Sequence, residues 1–129
     1  GVPQYTIDRG EPYQQQCIAT GKLLAQALHL RDDQYQVCFQ SRFGRAQWIK
    51  PYTSDVLTEL GQQKTGRIDV ICPGFVGDCL ETLEEIAIEG KTIFQNAGGG
   101  EYNYIPCLNE RHDWLTALTT MALERLEQP

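Results

Sequence analysis

The segment 72–89 reads CPGFVGDCLETLEEIAIE and takes the chain from a strand end, through a Pro/Gly loop, into a helix rich in carboxylates. Pro73 ends the strand because it has no amide hydrogen to donate to a sheet, and Gly74 favours a turn. Asp78 stands at the predicted N-cap with Glu81 three residues on, which is the spacing of a capping box. A strand, a loop and a helix in this order predict an α/β domain that keeps its functional site at the loop.

The glutamates Glu81, Glu85 and Glu89 recur every four residues along this helix. At about 100° per residue they drift by only about 80° in total, so they form a row on one helix face. Like charges at this spacing cost about 0.2–0.5 kcal/mol per pair, and no lysine or arginine stands four residues after Glu85 or Glu89 to offset that cost. The row indicates a site that handles protons or a hard or borderline cation. The same spacing is also compatible with an ordinary solvated acidic face, and with a capping role for Glu81.

Length and charge limit the classes of function. The chain has 129 residues, enough for one domain with one core, and we expect residues 1–129 to form a single unit. Its net charge of −6 and pI near 4.8 argue against a nucleic-acid partner, which would need a basic surface. No apolar run is long enough to span a membrane, and the first residues lack the features of a signal peptide. We therefore expect a cytoplasmic protein.

The titratable residues outside the row offer little further chemistry. Five cysteines without a CxxC spacing suit reduced thiols better than a disulfide framework. Cys79 could be a soft metal ligand, although a small buried side chain is the commoner role of a cysteine. His29 and His112 lie away from the predicted site loops, so the chain lacks a placed general base. Nucleotide-binding fingerprints and the motifs of serine hydrolases and zinc proteases are also absent from the sequence.

Hydrophobic periodicity and turn residues predict seven elements in the order α-β-α-β-α-β-α. The predicted helices cover residues 13–30, 53–62, 78–95 and 109–126, and the predicted strands cover residues 35–40, 67–72 and 102–105. The first helix should bury one face, and Thr53 and Asn109 are the expected N-caps of two later helices. Strands that alternate with helices need right-handed crossovers, so the order predicts a parallel sheet within a three-layer α/β/α sandwich.

The loops that follow the strands of such a sheet lie along one edge, where ligands bind. They and their borders carry four aromatic residues, Phe43, Trp48, Tyr52 and Phe75. Flat apolar side chains suit a large planar ligand, although aromatic residues in loops often only pack against their own domain.

Several motifs resemble the C-terminal half of bacterial ferrochelatase. They are GVPQ at 1–4, RGEPY at 9–13, QSRFGR at 40–45, Trp48 with KPYT at 50–53, the segment 72–85, and YIPCLN at 104–109. The resemblance covers essentially the whole chain. It implies two similar α/β lobes, each with a four-stranded parallel sheet, and a porphyrin cleft between them.

The resemblance implies that the parent protein inserts Fe²⁺ into protoporphyrin IX, the last step of protoheme synthesis. It implies that Glu81, with a histidine, binds the metal or accepts pyrrole protons, and that Glu85 and Glu89 extend a carboxylate path. It also implies a porphyrin-binding wall made of Gln40, Ser41, Arg42, Trp48 and Pro3. Fe²⁺ would be a substrate, with no permanent cofactor and no iron–sulfur cluster. The parent would also contain an N-terminal lobe and could make peripheral membrane contact.

Two departures from the family pattern matter. The family's active-site histidine stands immediately before the motif that begins at Gly1, on a strand that we expect to be an inner strand of the sheet. We therefore expect a C-terminal lobe that lacks this strand and is inactive by itself. Its sheet would either keep a gap or borrow a strand from another copy, in which case the chain self-associates. Cys79 stands where some family members place a histidine. Two alternatives remain: a module that binds haem, porphyrin or metal without catalysis, and a related cobalt chelatase.

Overall fold

The computed structural model of the chain describes residues 1–40, 42 and 44–127. Within these ranges it contains α-helices, a π-helix and two strands. In chain order the elements are α1 Gln4–Asp8, α2 Tyr13–Ala27, α3 Thr53–Gln62, β1 Arg67–Ile71, the π-helix Glu81–Gly90, α4 Lys91–Asn96, β2 Glu101–Ile105 and α5 His112–Leu126. A short 3-10 turn covers Asp32–Gln34 between α2 and α3.

The two strands β1 and β2 form a parallel sheet in which Arg67 pairs with Glu101 and Ile71 pairs with Ile105. The π-helix and α4 make the crossover between the strands, as a parallel pair requires. Helix α3 packs against both of these helical segments, and they in turn pack against β2. The chain is therefore of the α/β class with a parallel sheet, which confirms the predicted fold class.

One predicted strand, residues 35–40, is wrong. Only Phe39 forms a bridge in this segment: its N–H donates to the Pro51 carbonyl oxygen at 2.8 Å, and its own carbonyl oxygen accepts from the Thr53 N–H at 2.9 Å. Extended backbone becomes a strand only when a neighbouring strand supplies a ladder. In the described part of the chain residues 35–38 have no such neighbour. Alternating apolar side chains are therefore not sufficient evidence for a strand in this segment.

Two predicted N-caps are also wrong. Thr53 is the first residue of α3 itself, and its hydroxyl donates to the Cys38 sulfur at 3.4 Å. Helix α5 begins at His112, and Asn109 lies before it in a left-handed conformation with φ of 48°. Both side chains therefore bond to more distant parts of the chain, which sequence spacing cannot indicate.

An antiparallel bridge joins Pro3 to Trp48 and places the first residues beside the loop that precedes α3. Helix α1 follows directly after Pro3. The sequence analysis missed this helix because its five residues bury no side chain and show no hydrophobic period.

The core lies between α3, the π-helix, α4 and β2. Its largest fully buried side chains are Phe94, Ile49 and Thr82. The rings of Phe94 and Tyr102 lie 6.1 Å apart between centroids and are tilted by 50°, a favourable aromatic arrangement. Gly99 lies against the Phe94 ring so closely that a Cβ would overlap it. The glycine-rich turn before β2 is therefore also a packing site.

Helices α2 and α5 leave most of their apolar side chains open to solvent. Only Ala25 of α2 is buried, although the sequence predicts a buried face, and α5 buries none of its residues. A helix buries its apolar face only against another element, and within the described residues neither helix packs extensively on one. Leu115, Leu118 and Met121 are among the apolar side chains left exposed. None of the described helices combines the length and apolarity that crossing a membrane would take.

Candidate active site

The three glutamates of the row lie on a π-helix rather than on the predicted α-helix. Main-chain hydrogen bonds in a π-helix join residues five apart, so each turn takes more than four residues. Residues four apart therefore fall slightly short of one turn, and the three glutamates keep to one side of the helix. Glu85 lies within electrostatic reach of both Glu81 and Glu89.

The predicted capping box of Asp78 and Glu81 is wrong. Among the described residues no side chain caps the N-terminus of the π-helix, and the Cys79 N–H donates to the Thr82 hydroxyl at 2.9 Å. The Glu81 carboxylate accepts a hydrogen bond from the Cys79 thiol, with 2.9 Å between Sγ and Oε2. This hydrogen bond is the main cause that lowers the pKa of Glu81. Glu81 therefore carries a stabilised negative charge that takes no part in capping.

Gln40 connects the row to the segment before α3. Its amide nitrogen lies 3.2 Å from the Glu81 carbonyl oxygen and 3.2 Å from Oε2 of Glu85, and donates to both. Partial burial raises the pKa of Glu85, and the charges of Glu81 and Glu89 raise it further. Two neighbouring carboxylates with opposite pKa shifts can take different roles. The one with the lowered pKa stays charged, and the one with the raised pKa takes up a proton more readily.

A cleft of about 230 Å³ opens beside the row. Four of the predicted site residues line it: Gln40, Arg42, Glu85 and Glu89. The Arg42 guanidinium carbon lies 4.2 Å from the centre of the Tyr52 ring, a cation–π contact on the wall of the cleft. The structure thus brings part of the predicted porphyrin wall to the carboxylates.

Two further predicted wall residues, Pro3 and Trp48, lie outside the lining of the cleft. Pro3 and Trp48 pair with each other through the main-chain bridge. The Trp48 carbonyl oxygen accepts the Tyr52 hydroxyl at 3.2 Å, which links this pair to the Arg42 side of the cleft. Ser41 falls outside the described residues.

The sequence analysis missed the partners of Asp78. This carboxylate accepts hydrogen bonds from the Tyr104 hydroxyl at 2.6 Å, the Asn109 amide at 2.8 Å and the Thr82 hydroxyl at 3.0 Å. The hydrogen bond from Tyr104 is the largest of the causes that hold the pKa of Asp78 well below its usual range. Tyr104 and Asn109 both stand in the YIPCLN motif, but no spacing rule ties that motif to a residue 26 or 31 positions earlier.

Across the described residues, no three His, Cys, Asp or Glu side chains are grouped so as to hold a metal ion. Glu81 and Cys79 form a carboxylate–thiol pair, and both groups are known metal ligands in proteins. Neither His29 nor His112 lines the cleft. A metal role for Glu81 therefore stays a prediction.

Comparison with known proteins agrees with the motifs of the chain. The family profile described as Ferrochelatase matches residues 1–126. Ferrochelatase of Nitrosomonas europaea is 65% identical over 118 residues, which make up 92% of this chain and 32% of that protein. The Chromobacterium violaceum ferrochelatase is 61% identical over 126 residues, 98% of this chain and 35% of that protein. The chain thus spans about a third of the length of these curated relatives, and with a family match over nearly all its residues it belongs to the ferrochelatase family.

Proposed function

We propose that the parent protein of this chain inserts Fe²⁺ into protoporphyrin IX to give protoheme, and that this chain supplies one wall of the reaction site. The observation that carries the proposal is the contact of Gln40 with both Glu81 and Glu85, which joins the row to the cleft. Membership of the ferrochelatase family supports the same reaction.

Metal insertion removes two pyrrole protons and passes a hydrated cation into a macrocycle, so it needs a proton acceptor and an anionic ligand. The lowered pKa of Glu81 suits the ligand role, because the carboxylate keeps its charge at neutral pH. The raised pKa of Glu85 suits a proton path leading away from the base, because a weaker acid takes up a proton more readily. Glu89 extends the row along the helix and would carry protons or metal further.

The porphyrin would lie against the Arg42 side of the cleft. The stack of Arg42 on Tyr52 presents a flat surface with a positive charge, which suits a planar substrate that bears carboxylates. This wall would be completed by Pro3, Ser41 and Trp48. Trp48 accepts the Tyr52 hydroxyl at its carbonyl oxygen, and Pro3 pairs with Trp48 through the main-chain bridge.

The general base would come from outside this chain. Gly1 packs against Gln40, so that a Cβ at Gly1 would lie 2.8 Å from the Gln40 carbonyl oxygen. A residue joined to Gly1 would therefore lie close to the row, and the family resemblance places a histidine there. We accordingly propose that the isolated chain is inactive and self-associates, and that it works with the N-terminal lobe of the same protein. The proposal includes a cytoplasmic location and neither a permanent cofactor nor an iron–sulfur cluster.

The test uses the parent protein with both lobes and follows porphyrin absorbance after addition of Fe²⁺ or Zn²⁺ without oxygen. Glu81→Gln should lower kcat about 100-fold, because the site loses an ionised group that acts in the reaction. Glu84→Gln is the matched control: it lies on the same helix but off the row, and kcat should change by less than about twofold.

Unchanged turnover in Glu81→Gln would contradict the assignment of that residue. Porphyrin binding without any metal insertion by the wild-type parent would instead indicate the non-catalytic module, and faster turnover with cobalt and another tetrapyrrole would indicate the related chelatase.

A further inference from the structure

Asp78 joins three parts of the structure through one carboxylate. Its Oδ1 accepts the hydroxyl of Tyr104, near the end of β2, at 2.6 Å and the hydroxyl of Thr82, in the first turn of the π-helix, at 3.0 Å. Its Oδ2 accepts the Asn109 amide at 2.8 Å, and the Asn109 side-chain oxygen accepts the Asp78 N–H at 2.8 Å. The strand end, the loop after it and the start of the π-helix are therefore held together at one point.

The Thr82 end of this network lies next to Glu81 in the chain. Thr82 is completely buried, its hydroxyl accepts the Cys79 N–H at 2.9 Å, and its own N–H donates to the Cys79 carbonyl oxygen at 3.1 Å. Glu81 stands between these two residues, and its carboxylate accepts from the Cys79 thiol. The backbone that directs the Glu81 side chain is thus fixed on both sides, and Asp78 holds it in place through Thr82.

The network requires a carboxylate at this position. Two hydroxyls and one amide donate to Asp78, whereas a neutral amide side chain has only one acceptor oxygen and would turn a donor towards one of them. Asn109 adopts the left-handed conformation, with φ of 48°, that is uncommon outside glycine, and its reciprocal bonds with Asp78 hold it there.

We propose that Asp78, together with Tyr104 and Asn109, is a positioning residue that holds Glu81 in the orientation that metal insertion needs. This inference rests on the proposed function, because it assigns Asp78 an effect on the reaction through Glu81. Partners that orient a reacting or ligating group typically change activity by about 10–100-fold when removed.

The first experiment compares two tyrosines of β2 in the full-length parent protein. Tyr104→Phe removes only the hydroxyl that donates to Asp78, and we expect kcat for Zn²⁺ insertion to fall about 10-fold while the KM for porphyrin stays within about twofold. Tyr102→Phe is the matched control, since it removes a hydroxyl that donates to the Ile86 carbonyl oxygen at 2.7 Å, farther along the π-helix. Its kcat should stay within about twofold of the wild type.

The second experiment tests whether the effect passes through Glu81. Asp78→Asn and Tyr104→Phe are each measured in the wild type and combined with Glu81→Asp, which keeps a carboxylate on a shorter side chain. If Asp78 acts by orienting Glu81, the additional loss in the Glu81→Asp background should shrink to less than about threefold. Should Asp78→Asn fail to fold, Tyr104→Phe completes the comparison by itself.

The outcomes separate the inference from the proposed function. An equal fold loss in both backgrounds would overturn the positioning role, because a general structural defect multiplies with any other substitution. Full activity of both Glu81→Asp and Glu81→Gln would instead overturn the role of Glu81 in the proposed function, and the inference with it.

Discussion

Gln40 and Glu85 are joined by a hydrogen bond of 3.2 Å between the Gln40 amide nitrogen and Oε2 of Glu85. The same nitrogen donates to the Glu81 carbonyl oxygen, so one side chain from the segment before α3 contacts two successive levels of the row. An amide nitrogen has two hydrogens and can serve both acceptors at once. Gln40 thereby connects the wall of the cleft to the Glu85 carboxylate and to the main chain at Glu81.

Gln40→Leu should raise the pKa of Glu85 further. The amide donates to the charged form of the carboxylate, and loss of such a donor disfavours that form. Carbon-13 NMR titration of labelled glutamates in the parent protein measures the change. Gln63→Leu is the matched control, because Gln63 makes the same kind of contact with Glu59 at 3.3 Å on α3, outside the cleft. An unchanged Glu85 titration in Gln40→Leu would contradict the contact.

Asp78 should make the stability of the protein depend on pH in the acid range. The pKa of Asp78 is lowered in the folded state, mainly by the hydrogen bond from Tyr104. The stability that Asp78 adds to the fold is therefore complete above its unfolded pKa of about 3.9, and it is lost as pH falls towards the folded pKa. We expect Asp78→Asn to be less stable at neutral pH and to lose less stability on acidification. The pH dependence of stability in Tyr104→Phe should lie between that of the wild type and that of Asp78→Asn, because Asp78 keeps its hydrogen bonds from Asn109 and Thr82. Urea unfolding from about pH 2 to pH 7 measures these differences, and parallel curves for all three proteins would contradict the prediction.

The strands and helices at the centre of the fold could be predicted from sequence because their signals are local. Proline and glycine follow β1 and end it. The predicted helix at 53–62 matches α3, Thr53–Gln62, although Thr53 is its first residue rather than its N-cap. The predicted strand at 35–40 failed because pairing depends on a neighbour that local sequence does not specify.

The candidate site could be predicted only in part, for a similar reason. The spacing of Glu81, Glu85 and Glu89 is visible in the sequence, but the choice between α and π hydrogen bonding depends on packing rather than on spacing. The contacts of Asp78 with Tyr104 and Asn109 cross from one loop to another and follow only from the folded structure.

Glu85→Gln should stabilise the protein and reduce its activity. At neutral pH the charged Glu85 faces Glu81 and Glu89, and removal of two like-charge contacts should raise the free energy of unfolding by about 0.5 kcal/mol. Because the folded pKa of Glu85 is raised, the wild type should regain this stability as pH falls through that raised pKa, and the gain should be complete below about 4.3, the unfolded value. Glu124→Gln, an exposed change on α5, serves as the control. Stability is measured by denaturant unfolding and activity by porphyrin metalation of the same preparations. A fall in both stability and turnover would contradict the prediction.

Arg42→Ala should weaken porphyrin binding without slowing the chemical step. Arg42 lies over the Tyr52 ring at 4.2 Å and lines the cleft. On the proposed binding wall its loss removes charge and flat surface that act equally on bound substrate and transition state. We expect the KM for porphyrin to rise about 10-fold with kcat within about twofold, and Arg42→Lys to recover only part of the loss, because an ammonium group lacks the planar face. Arg45→Ala, on the same loop but outside the lining of the cleft, should leave both constants unchanged. A fall in kcat with KM unchanged would place Arg42 in the chemistry of the row rather than on the binding wall, because only an interaction made in the transition state alters kcat in that way.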